Sequence, residues 1–295
     1  MPYSIENLLQ KARELKSTHQ FLLDFENDFS DGEVYLVGGA VRDFLLGSNT
    51  KDADFLIRNV PASKLHHFLS QHGRANFVGK NFGVYKFIPA GDIDEIDIAL
   101  PRTERSFSYK GGYRDFEIET NPNLPIEEDL KRRDFTVNAI ALDMKRFCLI
   151  DPFNGLQDLE AGVLRAVGEP YLRFSEDYSR LLRGLRFACQ FDFNFDPETQ
   201  AALFEKIAFL NAKREDGAFV VPRETIAKEF LKALCHNPVR MFDLWDQSGA
   251  FSELIPELLT MKGCPQPQTF HSEGDVWIHT RLALAQLTSA AFKEE

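Results

Sequence analysis

Residues 34–57 read VYLVGGAVRDFLLGSNTKDADFLI, and this stretch decides the fold of the first half of the chain. The apolar run VYLV predicts a β-strand, the Gly-Gly pair a turn, and the apolar residues at helical spacing a brief helix that ends at Gly47. A second apolar run, FLI, predicts a strand that follows Lys51-Asp52-Ala53-Asp54. Because side chains alternate along a strand, Asp52 and Asp54 are predicted to share one face.

The D-x-D pair, Asp52 and Asp54, predicts a metal site. Two carboxylates on one strand face repel each other unless a cation lies between them. Oxygen ligands without His or Cys favour Mg²⁺ over Zn²⁺. Gly38 and Gly39 let the backbone approach a phosphate, and Arg42 adds positive charge. An isolated D-x-D is usually an exposed turn or strand edge, but this one follows a glycine turn and an arginine within one β-turn-α-β unit.

The motif LVGGAVRDFLLG followed by KDADF resembles the first motif of the class II tRNA nucleotidyltransferase and bacterial poly(A) polymerase family. Its GG-x-x-R-D turn differs from the G-x-G-x-x-G of dinucleotide-binding proteins, which excludes a Rossmann interpretation. The resemblance implies an α+β fold, in which a polymerase beta-like nucleotidyltransferase head with a small mixed sheet is followed by all-α neck and body domains. The implied divisions are an N-terminal helix packed on the head (1–25), the catalytic head (26–150), a nucleotide-selecting neck (151–215) and an RNA-binding helical body (216–295).

Length and composition are those of a globular protein with two or more domains: 295 residues, 44% hydrophobic and 27% charged. The sequence has no apolar run of membrane-span length and no signal-peptide core, so a cytoplasmic location without a membrane partner is predicted. The four cysteines are scattered and never form C-x-x-C, which predicts reduced thiols without a disulfide or zinc role: Cys148, Cys189, Cys235 and Cys264.

The net charge of −11 argues against a protein that coats nucleic acid non-specifically. The charge is uneven along the chain: residues 1–130 carry −7, residues 131–240 carry +1, and residues 241–295 carry −5. If the protein binds RNA or nucleotide phosphates, the middle segment is therefore predicted to supply the counter-charge.

A third carboxylate is predicted on a neighbouring strand. Strands are expected near residues 77–78, 84–88 and 95–100, and alternation puts Asp97 on the face opposite Ile96 and Ile98. Together with the D-x-D pair it would complete a two-metal site, the usual device for in-line phosphoryl transfer. The family places an acidic residue here, before an R-x-E that Arg102-Thr103-Glu104 matches. The identity of the third carboxylate stays open because other acidic residues crowd the region: Asp92, Asp94 and Glu95. The helix-like stretch 62–71 contains His66 and His67 and is followed by His72. These histidines have no acidic partner at metal-site spacing, so structural histidines are expected there.

Residues 104–130 show no clean period, and a loop of this length inside a compact domain is functional or disordered. In CCA-adding members of the family a flexible loop at this place is linked to the switch from adding C to adding A. Its presence here favours A addition or full CCA addition.

Residues 129–139, DLKRRDFTVNA, predict a helix that carries Arg132 and Arg133 at its polar start and buries three apolar residues: Phe135, Val137 and Ile140. A solvated charged turn is the alternative. The pattern resembles the family's R-R-D-F-T-x-N-A motif, which implies that Arg132 contacts the phosphates of the nucleotide and that Asn138 belongs to the nucleotide site. Residues 150–162, IDPFNGLQDLEAG, match the next family motif, a strand end, turn and short helix at the domain junction.

Residues 175–187, SEDYSRLLRGLRF, predict a helix with Ser175 as N-cap and with Asp177, Arg180 and Arg183 on one face. An Asp-Arg surface helix is the alternative. The family's E-D-x-x-R motif implies that Asp177 and Arg180 hydrogen-bond the Watson–Crick edge of the incoming base, helped by Arg183 and Arg186. Arg offers only donors and ionised Asp only acceptors, so the two can match C or A without a template. The family often has Pro-Leu where this chain has Tyr-Ser at 178–179.

Amphipathic helices are predicted near 197–210, 223–236 and 238–248, resembling the neck and body that hold the tRNA acceptor stem. Residues 271–280, HSEGDVWIHT, resemble the start of an HD phosphohydrolase domain. No His-Asp dipeptide follows in the sequence, so no hydrolase metal site is expected, and the chain is either a natural short form or truncated.

The resemblance implies template-independent addition of CMP and AMP, from CTP and ATP, to the 3′ end of tRNA. Asp52 and Asp54 would hold Mg²⁺ in a two-metal site with Asp97 as third carboxylate. The triphosphate would be held by the glycine turn and two arginines: Gly38, Gly39, Arg42 and Arg132. An A-adding or CC-adding specialist and a poly(A) polymerase share nearly all these motifs. An inactive RNA-binding protein would be marked by loss of a D-x-D carboxylate, and both are present. The oligomeric state stays open.

Overall fold

A computed structural model describes residues 4–48, 50, 53–78, 83–106, 111–112 and 116–288. The chain divides into two compact units. The first consists of Met1–Ser106, Phe116–Ala161 and Arg165–Gly168, and the second of Phe107–Asp115, Gly162–Leu164 and Glu169–Glu295. Parts of the predicted neck (151–215) fall in each unit, and the predicted domain boundaries stay predictions.

The strands of the first unit are, in chain order, β1 (Glu33–Val37), β2 (Asp54–Arg58), β3 (Gly73–Val78), β4 (Val84–Pro89), β5 (Ile96–Ala99), β6 (Arg102–Ser106), β7 (Phe116–Thr120), β8 (Ala141–Asp143) and β9 (Leu149–Ile150). Seven of them form one sheet in the order β3-β4-β5-β2-β1-β8-β9, and β6 pairs with β7 separately. β2 and β5 run parallel, whereas the other neighbours in the sheet are antiparallel. The predicted mixed sheet is confirmed.

The helices of this unit are α1 (Ile5–Thr18), α2 (Gln20–Asp28), α3 (Gly39–Leu45), α4 (Ala62–His72), α5 (Ile126–Lys131) and α6 (Gly155–Ala161), with a 3-10 turn at Thr136–Asn138. The Ser4 side chain accepts a hydrogen bond from the Asn7 N–H (3.1 Å) and caps α1, as its sequence predicts. The Phe21 ring on α2 meets Phe55 and Phe87 of the sheet edge-on, at centroid distances of 6.2 and 5.1 Å. Phenylalanine therefore fills the core between helices and sheet.

Alternation along the strands separates two faces of the sheet. One face joins a buried cluster that includes α5 and the segment after it: Tyr35, Val37, Leu56, Ile126, Leu130, Ala139, Ala141 and Val167. Asp54 lies two positions before Leu56 and so projects from this same face. Because Asp54 is the first residue of β2, the apolar face ends at a carboxylate.

The predicted loop over residues 104–130 is wrong in part. β6 and β7 pair from Arg102 with Thr120 to Ser106 with Phe116, and α5 begins at Ile126. The apolar-charged alternation in residues 116–120, FEIET, is a strand signal, but the surrounding glycines, prolines and charges obscured it. Residues 107–110 and 113–115 of the predicted loop lie outside the described residues.

The second unit is built from helices α7 (Pro170–Glu176), α8 (Ser179–Phe191), α9 (Pro197–Lys206), α10 (Arg223–His236), α11 (Pro238–Gln247), α12 (Ala250–Leu254) and α13 (Val276–Gln286), with 3-10 segments at Ile207–Asn211 and Pro256–Met261. Two short parallel strands, β10 (Val163–Leu164) and β11 (Asn194–Phe195), also belong to it. Trp245 and Phe251 are each 1% exposed and mark its core. The helices predicted near 197–210, 223–236 and 238–248 are confirmed. Within the described residues, no helix has both the length and the apolar character needed to cross a membrane.

Candidate active site

Asp54 and Asp97 lie side by side on adjacent strands of the sheet. Asp54 opens β2 and is the register partner of Asp97 on the parallel strand β5. Neighbouring strands are about 4.8 Å apart, and paired residues project from the same face. Val37, the last residue of β1, is the partner of Asp54 on its other side. The fold therefore brings two of the three predicted carboxylates onto one face of neighbouring strands.

Asp52, the other member of the predicted D-x-D pair, lies outside the described residues, so its shared face with Asp54 stays a prediction. Asp92 and Asp94 precede β5. Asp92 accepts hydrogen bonds from the two backbone N–H groups that follow it, at 2.7 and 3.2 Å, which closes a turn. Asp97 stands in register with Asp54. The register therefore favours Asp97 over Asp92 and Asp94 as the third carboxylate.

Lys86, which sequence analysis did not single out, lies beside this pair. It is the register partner of Asp97 on β4, and its Nζ lies 2.6 Å from Asp97 Oδ1 and 3.5 Å from Glu95 Oε1. The hydrogen bond to Asp97 is the main reason why the pKa of Lys86 is raised. Tyr85 and Phe87 are buried on the opposite face, so the alternation of β4 was the signal that could have placed Lys86 with the carboxylates.

Gly38 follows β1 directly and has a φ of +72°, in the left-handed region that favours glycine. A Cβ at this position would lie 2.6 Å from Arg133 Nη1 and 3.8 Å from Asp54 Oδ2. Gly39 begins α3, and a Cβ there would lie 3.4 Å from Arg42 Nη2. The glycine turn therefore leaves room for two guanidinium groups, and that of Arg133 shares the turn with the carboxylate of Asp54.

Arg133 is a second residue that sequence analysis did not assign to the site. Its Nη1 donates to the Asn138 carbonyl oxygen (3.3 Å), and its Nη2 lies 3.6 Å from Asp129 Oδ2. Burial lowers the pKa of Arg133, against the opposing charges of Asp129 and Asp54. An arginine stays charged at neutral pH, so a half-buried cation lies near Asp54. Its place next to Arg132 in the sequence was the available signal.

Arg42 and Asn138, both predicted nucleotide-site residues, contact each other. The Arg42 Nη1 donates to Asn138 Oδ1 (2.5 Å), and its Nε donates to Asp43 Oδ1 (2.8 Å). Asn138 Nδ2 in turn donates to Asp134 Oδ1 (2.9 Å). Arg42 is 6% exposed. This chain of hydrogen bonds fixes the orientation of Arg42 at the side of the glycine turn.

The helix predicted through residues 129–139 is wrong. α5 ends at Lys131, Arg132 is its C-cap, and only a 3-10 turn follows at Thr136–Asn138. Asp134 Oδ1 accepts the Phe135 backbone N–H (2.8 Å) as well as Asn138 Nδ2, and such local bonds compete with helix. The arginines therefore follow a helix end, where positive charge is favourable. The burial prediction is confirmed for all three apolar residues: Phe135, Val137 and Ile140.

Arg132 is held by two carboxylates of its own unit. Its Nη1 donates to Glu104 Oε1 (2.8 Å) and its Nε to the fully buried Asp129 (3.0 Å). Glu104 also accepts from Arg102 Nε (2.9 Å). Burial alone would lower the pKa of Arg132, but the charges of Asp129 and Glu104 outweigh it and the pKa is raised. The predicted phosphate contact of Arg132 stays a prediction.

The residues predicted to select the nucleotide lie in the second unit, around the junction of α7 and α8. The N-cap role predicted for Ser175 is wrong, because Ser175 lies inside α7 and donates to the Tyr171 carbonyl oxygen (2.7 Å). Asp177 separates the two helices, and its Oδ1 accepts the Ser179 backbone N–H (2.8 Å) at the start of α8. Burial raises the pKa of Asp177, although Arg180 opposes the shift.

Arg180 lies one turn after Asp177 and is 7% exposed. Its Nη1 donates to Glu176 Oε2 (2.7 Å) and to the Arg173 carbonyl oxygen (3.1 Å). Arg173 also donates to Glu176 Oε2 (2.8 Å). Glu176 therefore orients the side chain that is predicted to read the base, a role that the sequence motif E-D-x-x-R signals only by adjacency.

Arg183 and Arg186 occupy different surroundings on α8. The Arg186 Nε donates to Glu229 of α10 (2.5 Å), and its guanidinium lies 4.0 Å from the centre of the Phe187 ring. Both members of this ion pair are nearly buried, so Arg186 ties α8 to α10. The Arg183 guanidinium lies 5.1 Å from the same ring centre. The predicted nucleotide contacts of both arginines stay predictions.

A separate group of metal-ligating residue types lies at the start of α13. Glu273 Oε1 lies 3.1 Å from His271 Nδ1 and 2.5 Å from His279 Nδ1, and the three donor atoms fall within 4.8 Å of one another. The hydrogen bond from His279 is the main reason why the pKa of Glu273 is lowered to about 2. The sequence predicts no hydrolase metal site here, and this stays a prediction.

Residues 34–165 match the family described as Poly A polymerase head domain. Along more of its length, the chain is similar to the Multifunctional CCA protein of Nitrosococcus oceani (41% identical over 249 residues, covering 84% of this chain and 56% of that protein). It is similar to the protein of the same name from Neisseria meningitidis serogroup A (37% identical over 254 residues, 85% and 56%). The chain thus spans 56% of the length of these curated relatives.

Solved structures show the same likeness. The chain is similar to the Bacillus stearothermophilus CCA-adding enzyme in complex with CTP (TM-score 0.63, 28% identity, 80% of this chain and 52% of that chain). It is also similar to the Thermotoga maritima CCA-adding enzyme complexed with tRNA_CCA (TM-score 0.64, 27% identity, 87% and 57%). The predicted family resemblance and the predicted fold class are confirmed.

Proposed function

Because residues 34–165 belong to the Poly A polymerase head-domain family, we propose that this chain adds C, C and A without a template to the 3′ end of tRNA, with CTP and ATP as substrates. One observation carries the proposal: Asp54 and Asp97 stand in register beside the Gly38 turn. The chain that holds them is similar over 84% of its length to a curated CCA protein. The predicted cytoplasmic location stays a prediction.

The carboxylates fit a hard divalent cation. Asp54 and Asp97 project from one face of neighbouring strands, their donor atoms are oxygens, and their mutual repulsion is relieved by a bound cation. Asp52 and Asp54 hold Mg²⁺ in this proposal, with Asp97 as third carboxylate. When bound, Mg²⁺ assists loss of the proton from the tRNA 3′-OH and offsets negative charge at the α-phosphate as pyrophosphate leaves.

The glycine turn and the nearby arginines hold the triphosphate. Gly38 and Gly39 let the backbone approach the phosphates, and Arg42, oriented by Asn138, adds charge beside them. Arg132, predicted to contact the phosphates, is bridged by carboxylates on two sides. Its guanidinium is thereby fixed in one orientation, which favours a contact of defined geometry.

Selection of the base is assigned to Asp177 and Arg180. The ionised Asp177 only accepts hydrogen bonds and Arg180 only donates them, so the pair complements an edge that presents one donor and one acceptor. Glu176 holds Arg180 by a 2.7 Å hydrogen bond, and Arg183 and Arg186 add positive charge on the same helix. Nucleotide addition then needs no nucleic-acid template, because the protein side chains read the base.

The test is an extension assay with Mg²⁺ and three tRNA substrates, ending at the discriminator base, at C and at CC, each offered CTP, ATP or both. Completion of every substrate to CCA, followed by a stop, is the expected result. Asp54→Asn should reduce turnover on the order of 10³-fold. Asp94→Asn is the matched control, because this exposed carboxylate lies close in sequence to Asp97 but is not in register with Asp54.

Each other outcome reassigns the protein. Addition of A only to tRNA ending in CC, addition of CC only, or a long A tail would make the chain an A-adding specialist, a CC-adding specialist or a poly(A) polymerase. Absence of incorporation with tRNA binding intact would make it an inactive RNA-binding protein. Equal turnover by Asp54→Asn and the wild type would remove Asp54 from the chemistry.

A further inference from the structure

Lys86 extends the row of charged residues that crosses the sheet at the candidate active site. It is the register partner of Asp97, and Asp97 is the register partner of Asp54. Because paired residues project from the same face, the three side chains form the line cation, carboxylate, carboxylate across three neighbouring strands. The ammonium group of Lys86 therefore lies on the side of Asp97 away from Asp54.

The contacts of Lys86 show that it is held in place. Its Nζ lies 2.6 Å from Asp97 Oδ1 and 3.5 Å from Glu95 Oε1, so two carboxylates share one ammonium group. The side chains of Lys86 and Asp97 are 38% and 35% exposed, and solvent screens the pair only in part. Tyr85 and Phe87, on the other face of β4, are buried and fix the strand beneath it.

Charge balance gives this contact a consequence for metal binding. Without a divalent cation, Asp54 and Asp97 repel each other, and Lys86 supplies compensating charge next to one of them. The same ammonium group occupies an oxygen of Asp97 and repels an arriving cation. Lys86 thus stabilises the metal-free site and competes with the metal.

We propose that Lys86 is a positioning residue of this site, which holds Asp97 in the absence of metal and lowers the affinity of the site for a divalent cation. This inference rests on the proposed function. The contact between Lys86 and Asp97 makes metal binding depend on the nucleotide. A metal bound to triphosphate oxygens brings ligands of its own, whereas a free metal meets a carboxylate that is already paired with Lys86.

The test uses Mn²⁺ alone, without nucleotide, on the full chain. Mn²⁺ binding is followed by the electron paramagnetic resonance signal of the free ion, and thermal unfolding is measured with and without the metal. Lys86→Met should bind Mn²⁺ about threefold to tenfold more tightly than the wild type and should unfold a few degrees lower in its absence. Lys86→Arg keeps the positive charge and should restore both values.

Two controls make the outcomes distinguishable. Lys64→Met removes an exposed lysine on α4 and should change neither value. Asp54→Asn should abolish Mn²⁺ binding. If neither the wild type nor Lys86→Met binds Mn²⁺, the proposed metal site fails. If the wild type binds Mn²⁺ and Lys86→Met binds it with unchanged affinity, the role of Lys86 is overturned while the proposed function stands.

Discussion

Gly38 is the residue at which backbone conformation and charge meet in the candidate active site. Its positive φ favours glycine, and a Cβ would lie 2.6 Å from Arg133 Nη1, so the guanidinium of Arg133 would have to move. We predict that Gly38→Ala lowers the free energy of unfolding by about 1–3 kcal/mol. It should also lower turnover more than tenfold, because Arg133 is displaced from Asp54.

Gly47→Ala is the matched control for this prediction. Gly47 has a φ of +75°, but a Cβ there would meet no heavy atom within 4 Å. Gly47→Ala should therefore lower the free energy of unfolding in urea by about 1–2 kcal/mol through backbone strain, without a loss of turnover. Equal turnover by the two variants would show that the space at Gly38 has no part in the chemistry.

Among single residues, the sequence identified the site residues that belong to short motifs. It missed those that lie on a neighbouring strand or after a neighbouring helix. Asp54, Arg42 and Asn138 each stand in a motif, and the structure brings them into one unit. Lys86 joins through strand register with Asp97, and Arg133 through a helix end that the sequence predicted as a helix start. Register depends on which strands pair, and a single strand's pattern does not reveal its partner.

Among the elements, the junction of α7 and α8 shows how a helix boundary changes the part that a residue plays. The motif SEDYSR predicted one helix capped by Ser175, whereas the chain breaks at Asp177 and starts α8 afresh. The apolar spacing of α8 matches its buried side: Leu181, Leu182, Leu185 and Phe187 are buried. The helix boundary was not predicted, because Ser and Asp are both good capping residues and stand two positions apart.

The position of Asp177 between α7 and α8 predicts that the stability of the protein depends on pH. Burial raises the pKa of Asp177 above that of the unfolded chain, so the folded state binds the proton more tightly. The contribution of Asp177 to stability is therefore lost as the pH rises from about 4 through the folded pKa. Asp177→Asn keeps an acceptor for the Ser179 N–H but no charge. Its Tm should exceed that of the wild type by a margin that grows as the pH rises above about 4.

Asp216→Asn is the control, since Asp216 makes the same local hydrogen bond, to the Ala218 N–H at 2.9 Å, but is exposed. Its Tm difference from the wild type should not change with pH. A Tm of Asp177→Asn that stays below the wild type at every pH would contradict the burial argument. In the extension assay the same variant should lose discrimination between CTP and ATP, because Asn donates as well as accepts.

For the whole molecule, the uneven charge along the chain predicts how tRNA binding responds to salt. The net charge is −11, yet residues 131–240 are the only one of the three segments without an acidic excess. Binding through a local basic patch releases counterions, so tRNA affinity should fall about tenfold or more between 50 and 200 mM salt. Filter binding over this range measures it. A flat dependence would show that phosphate contacts do not carry the affinity.

The strand pairing around Asp54 also sets when the site can exist. β2 lies between β1 and β5, and β1 pairs on its other side with β8, from much later in the chain. Pairings between distant segments close large loops and are slow to form. During synthesis the N-terminal motif emerges long before its partners. We expect a nascent chain that has exposed every glycine and carboxylate of that motif to lack the proposed activity until the sheet closes.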